Sequence, residues 1–237
     1  MAIFVLVHGG WRGGWSWDRV ATSLRELGHT VYAPTLTGLA ERSHLLNAGV
    51  NLTTHIQDVV NLIKVEDLNS IVLCGHSAGG VVIGGVADQI PERIYSIVYL
   101  GAFVPQNGDS VFSLSSEAFR LFAIGSAAQL GGTACVPIPS AAFGLNEEDR
   151  LWFDEKCTPH PIASLVQGVS LRGNLSTIKK QMYIFAIWET EFPSPFKQFY
   201  ERLHDDPAWT VHTIESGHDV MLDHPQQVVE FLQEAAG

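Results

Sequence analysis

Ser70-Ile71-Val72-Leu73-Cys74-Gly75-His76-Ser77-Ala78-Gly79-Gly80 is the stretch that decides the fold. Its first half is a short apolar run, the pattern of a strand buried on both faces. Its second half fits G-x-S-x-G, and the small apolar residues from Ala78 to Ile90 that follow read as a helix stopped by Pro91. A serine between glycines at a strand-to-helix turn sits on a sharp, strained bend that lifts its hydroxyl above the sheet. Ser77 is therefore the candidate nucleophile, against the plainer reading of a serine in an ordinary glycine-rich turn.

The same alternation continues outward. Ile3 to Val7 reads as a buried strand, and Val20, Ala21, Leu24 and Leu27 recur at helical spacing before Gly28. Thr30 to Ala33 reads as a strand. A helix capped by Thr53 or Thr54 then carries Ile56, Val59, Val60 and Ile63 on one face. Ile94 to Leu100, Met182 to Ile187 and Trp209 to Ile214 are further strands. Helices are expected around Pro195 to Leu203 and from Pro225, the last with Val228, Val229, Phe231 and Leu232 as its buried stripe. The pattern implies a single α/β domain over residues 1–237, with a mostly parallel sheet and helices on both faces. Between about residues 105 and 175 the alternation breaks, and no clear strand is visible. Phe112, Phe119, Phe122, Phe143, Trp152 and Phe153 fall here, with helices expected near 115–124, 146–156 and 161–170. This stretch reads as a small helical cap over the carboxyl ends of the strands, where such sheets bind ligands. A packing insertion without a pocket is the alternative.

Composition narrows the classes of function. A chain of 237 residues, 46% hydrophobic and 16% charged, is that of a globular protein rather than a disordered one. Its net charge of −11, from 14 basic and 25 acidic residues, argues against nucleic acid or an anionic membrane as partner. The three cysteines, Cys74, Cys135 and Cys157, have no framework spacing, so free thiols and a reducing compartment are expected. The N-terminal residues lack a basic signal-peptide region, and no apolar run approaches the ~20 residues of a membrane span. A cytoplasmic location is the expectation, with a homodimer as the candidate assembly.

A serine nucleophile needs a base and an oriented acid. Glu215-Ser216-Gly217-His218-Asp219 follows the last strand and makes His218 the candidate base; His224, beside Pro225, is the runner-up. The acid belongs after the Met182–Ile187 strand, where Trp188-Glu189-Thr190-Glu191-Phe192 offers Glu189 first and Glu191 second, with Asp109 as a distant third. An oxyanion hole needs two backbone N–H donors, expected from Ala78 and from Gly10 in His8-Gly9-Gly10, with Gly9 as second choice. Trp11, Trp152, Phe153 and His76 are the candidate substrate-binding residues. No H-E-x-x-H or C-x-x-C spacing occurs, so no metal or other cofactor is expected.

Phe4-Val5-Leu6-Val7-His8-Gly9-Gly10, Gly75-His76-Ser77-Ala78-Gly79-Gly80 and Gly217-His218-Asp219-Val220-Met221 together resemble one group of α/β-hydrolases. It is the plant methylesterase and hydroxynitrile lyase group, with its bacterial esterase relatives. The resemblance covers nearly the whole chain and is weakest in the cap. It implies a triad acid at Glu189, where the plant proteins carry aspartate, whereas the position of an aspartate in many bacterial relatives is Gly101 here. Lyases of the group carry a threonine at the position of Gly9 and a lysine at that of Asp219, so the resemblance favours an esterase. It implies an acyl-enzyme route for a small to medium apolar or aromatic ester, or a carbamate, bacterial relatives being associated with pyrethroid-like esters and carbamates such as carbendazim. Hydroxynitrile lyase-type cleavage and a non-catalytic small-molecule-binding protein on the same fold are the alternatives.

Overall fold

The computed structural model describes residues 1–187 and 194–237. Six strands form one wholly parallel sheet: β1 (Ile3–Val7), β2 (Thr30–Tyr32), β3 (Ile71–His76), β4 (Ile94–Leu100), β7 (Lys180–Ile187) and β8 (Trp209–Glu215). Their order across the sheet is β2-β1-β3-β4-β7-β8. Apolar side chains alternate between its two faces, which explains the unbroken hydrophobic runs in sequence. Val5, Val7, Ile71, Leu73, Ile97 and Tyr99 enter one core; Phe4, Leu6, Val72, Cys74, Val98 and Leu100 enter the other. Helices α2 (Leu52–Val65) and α3 (Gly79–Gln89) cover the first face, while α1 (Asp18–Glu26) and α10 (Pro225–Ala236) cover the second.

Local sequence explains the ends. The expected cap of α2 at Thr53 or Thr54 falls instead at Asn51, whose side chain accepts from Thr54 N–H at 3.1 Å. Thr54 Oγ1 accepts in return from Asn51 N–H, so the threonine completes a capping box as its third helical residue. Phe231, expected in the buried stripe of α10, is only half-buried and stacks on His212 at 4.5 Å.

Between β4 and β7 lie α4 (Val111–Leu114), α5 (Glu117–Gln129), α6 (Glu147–Lys156) and α7 (Ile162–Val166); α8 (Lys197–Leu203) joins β7 to β8, and α9 (Val220–Asp223) precedes α10. Ser116 and Asn146 cap α5 and α6 with their side chains, close to the starts expected from sequence. One feature was not expected: β5 (Ala134–Cys135) and β6 (His160–Pro161) pair antiparallel within this segment. Two-residue strands are too short to leave a periodic signal. Among the described residues, no helix is long and apolar enough to cross a membrane.

Candidate active site

The loops that follow β1, β3 and β8 meet at the carboxyl edge of the sheet. Ser77, directly after β3, holds a left-handed backbone with φ of 54°. For a residue with a Cβ that geometry is strained and persists only where surrounding bonds fix it. Here Ser77 N–H donates to Leu100 O at 3.3 Å, and Ser77 O accepts from Gly80 N–H at 3.0 Å and Phe103 N–H at 3.2 Å. The loop after β1 lies directly against this bend. A Cβ on Gly9 would stand 2.9 Å from Ser77 Cβ and 2.8 Å from His76 Nδ1, so the close approach requires glycine. A threonine there, as in the lyases of the group, would collide with the bend.

The β1 loop is held by buried polar groups. Leu36 N–H donates to His8 Nε2 at 3.0 Å, which leaves the ring hydrogen on Nδ1, donated to Gly9 O at 2.8 Å. Burial above all lowers the His8 pKa to about 3, so the ring is neutral near pH 7. Gly9 C=O and Gly10 N–H point to opposite sides of one trans peptide. Anchoring the carbonyl on His8 therefore fixes the direction of the Gly10 N–H.

Trp11 adopts φ of 65° and is tied by three hydrogen bonds to the segment between β4 and β7. Its N–H donates to His160 Nδ1 at 3.1 Å, its indole to Cys135 O at 3.2 Å, and its carbonyl accepts from Thr158 N–H at 3.0 Å.

His218, after β8, donates its backbone N–H to Phe143 O at 2.8 Å and accepts at its carbonyl from His76 Nε2 at 3.0 Å. Its ring stacks on Phe196 with centroids 4.9 Å apart. Burial first, then His76 and Arg12, hold the imidazole well below its ordinary 6.5.

Ser77 and His218 line one cavity of about 320 Å³, together with Gly10, Ala78 and the rings of Trp11, Phe103, Phe119, Phe122, Phe143 and Phe196. The wall is apolar. Ser115, Ser116 and Ser194 are the other polar side chains, and no charged one joins His218 among the described residues.

Several expected residues fall elsewhere. Trp152 and Phe153 do not line this cavity. They pack edge-on against Trp15 at 5.2 and 5.6 Å, on the other side of the β1 loop. His76 is also off the cavity, wholly buried behind the bend, where its Nε2 supports the His218 backbone. His224 is exposed at the start of α10. The Asp109 carboxylate, half-buried, closes its own turn by accepting from Gln106 N–H at 2.8 Å, and it does not line the cavity. Trp188, Glu189 and Glu191 lie outside the described residues.

Sequence reading missed Arg12. Its Nε and Nη2 donate to the two carboxylate oxygens of Asp219 at 2.6 and 2.7 Å, and its Nη1 donates to Gly10 O at 2.7 Å. Burial works against the charge, but Asp219 more than compensates and raises the guanidinium pKa. Asp219 is thus ion-paired with Arg12 and does not line the cavity. The signal was available: an arginine in a glycine-rich loop and an aspartate beside the candidate base are unlike charges flanking two site motifs.

The sequence matches the family described as "Alpha/beta hydrolase family" over residues 4–231. The chain belongs to the alpha/beta hydrolase family. This hydrolase is 42% identical to a carbendazim hydrolyzing esterase of Nocardioides sp. (strain SG-4G), over 98% of both chains. It is 28% identical to salicylic acid-binding protein 2 of Nicotiana tabacum, over 98% of this chain and 96% of the relative. Among solved structures, an extracellular alpha/beta-hydrolase from a Paenibacillus species superposes with a TM-score of 0.83 at 25% identity, covering 99% of both chains. The hydrolase sits among esterase-type enzymes, in the plant methylesterase group with its bacterial relatives.

Proposed function

We propose that this hydrolase is a serine esterase acting on neutral aromatic esters or aryl carbamates. One observation carries the reading: a serine on a strained strand-to-helix bend shares an aromatic-walled cavity with a buried histidine, and no charged side chain joins them there among the described residues. Such a wall favours a flat neutral substrate, because a carboxylate would lose its hydration without gaining a partner.

Ser77 Oγ attacks the carbonyl carbon while His218 takes its proton. The carbonyl oxygen becomes an oxyanion held by the N–H groups of Gly10 and Ala78. His218 returns the proton to the leaving alcohol, and an acyl-enzyme remains. Water, deprotonated by His218, then attacks the acyl carbon and releases Ser77. With an alkyl carbamate the alcohol leaves first, and the carbamic acid freed by water loses carbon dioxide to give the amine. Glu189 is assigned as the acid that orients His218. The similarity to a carbendazim hydrolyzing esterase supports the carbamate branch. A reducing cytoplasmic setting fits the three free thiols.

The test combines labelling with a substrate panel. A fluorophosphonate probe should label wild type and not Ser77→Ala. Aryl methyl carbamates and p-nitrophenyl esters should turn over faster than esters carrying a free carboxylate. An unlabelled wild type would point to a binding protein, and enzyme-dependent cyanide release from mandelonitrile would point to a lyase.

A further inference from the structure

The Arg12–Asp219 pair joins residues 207 positions apart, and both side chains are almost completely buried, at 1% and 0% exposure. Replacing such a pair with apolar residues is often neutral or stabilising, so its presence is weak evidence of a role in stability. What the pair touches is more informative. Arg12 Nη1 holds the carbonyl of Gly10, the residue whose N–H faces the oxyanion in the esterase reading. Asp219 follows His218 directly. The guanidinium lies 5.0 Å from the Phe143 ring centroid, and the Phe143 carbonyl accepts the His218 N–H at 2.8 Å. The Phe153 ring closes on it at 5.0 Å as well. One buried cation thus contacts the oxyanion loop, the base loop and the cap residue that fixes the base.

We propose that Arg12 and Asp219 are a positioning pair that keeps the Gly10 N–H and His218 in register across the Ser77 hydroxyl. This rests on the serine esterase reading above. Neither residue lines the cavity, so the pair acts through its neighbours and not by contact with substrate. Five guanidinium donors in a planar fork can serve two carboxylate oxygens and one carbonyl together; a lysine ammonium cannot match that geometry.

The experiment compares kcat, KM and pH profiles on a p-nitrophenyl ester for Arg12→Lys, Arg12→Gln, Asp219→Asn and the uncharged double variant Arg12→Gln/Asp219→Asn. A misplacement near 1 Å costs about 100-fold, so the double variant should lose about 10- to 100-fold in kcat, with KM within threefold. Arg12→Lys should recover little of the loss. The single variants carry a second signature. The groups facing His218 among the described residues are His76 from the end of β3 and Arg12, with the uncharged rings of Phe143 and Phe196. Arg12→Gln removes a cation and leaves Asp219 unbalanced, so the acid limb of kcat should move to higher pH. Asp219→Asn leaves the cation unbalanced, so that limb should move to lower pH. A double variant with wild-type kcat overturns the proposal, as does one with unmoved kcat and raised KM, or one too unstable to assay, which would assign the pair to stability alone. A wild type that no fluorophosphonate labels would instead defeat the esterase reading, so the two failures are distinguishable.

Discussion

The two sides of the cavity are built from opposite chemistry. On one side, Trp11, Phe119, Phe122, Phe143 and Phe196 present apolar rings to the open space. Behind the loops, His8, Arg12, His76, His160 and Asp219 are buried polar groups hydrogen-bonded to the backbone of the loops or to one another. In the esterase reading proposed above, the difference separates choosing a substrate from aligning the chemistry. An apolar wall can change one ring at a time at modest cost. Each group behind the loops leaves a buried partner unsatisfied when removed, which is far more costly.

The most severe way to probe this division is Ser77→Ala, which sits where the two sides meet. Its kcat should fall by about 10⁴ to 10⁶ with the fold retained, measured by single-substrate kinetics and circular dichroism. Residual activity above a tenth would show that the nucleophile lies elsewhere.

Glu189→Gln should cost at least ~100-fold in kcat and Glu191→Gln only a few-fold. Gly101 sharpens this test. A Cβ built there would lie 3.5 Å from His218 Nδ1, within reach for a short carboxylate. Gly101→Asp should therefore restore part of the kcat lost in Glu189→Gln, although a φ of 47° at that position strains any side chain. No recovery, with Glu189→Gln near wild type, would remove Glu189 from the mechanism.

A broader effect should come from acid. His8, His55, His76, His160 and His218 are all buried, and burial is the leading cause that lowers each, His8 to about 3 and His76 to about 4. Below pH 6.5 the unfolded chain binds protons that the folded chain refuses, so stability is complete above 6.5 and drains away as pH falls toward these values. Each such imidazole contributes up to ~1.4 kcal/mol per pH unit in that window. Tm should be flat from pH 8 to 7 and fall progressively from 6 to 4. A Tm level down to pH 5 would mean these rings are protonated in place.

The smallest effects belong to the apolar side. Phe119→Ala, which removes an edge-on contact with Trp11 at 6.3 Å, should raise KM for an aryl ester a few-fold. Trp152→Ala should leave KM unchanged within twofold and lower Tm. An equal rise in KM for both would return Trp152 to the substrate wall.

The pattern of what could be read in advance follows the same division. The strand–bend–helix around Ser77 is local, since strand period, glycine and helix are contiguous. The sheet was legible because buried parallel strands leave continuous apolar runs. Position in space was not legible where it depends on distant partners. Trp152 and Phe153 belong to an aromatic segment, but only folding decides which side of the loop α6 occupies. Arg12 and Asp219 acquire meaning only as a pair. The acid is a different case: Glu189 is named by chain order and resemblance, and it lies outside the described residues.

The sheet order also bears on how the protein is made. Strands β2, β1, β3 and β4 can assemble once Leu100 has been translated, yet the next neighbour of β4 begins only at Lys180. Translation proceeds at about 5–20 residues per second, so for several seconds the nascent chain carries an open β4 edge. Unpaired strand edges are templates for association with other chains. The loops that line the cavity are also split in time, that of Gly10 emerging within the opening dozen residues and that of His218 near the last. A chain that stopped before β7 would therefore lack His218 and expose the β4 edge, and pairing with β7 moves the open edge outward to β8, a strand in place only when the chain is nearly complete.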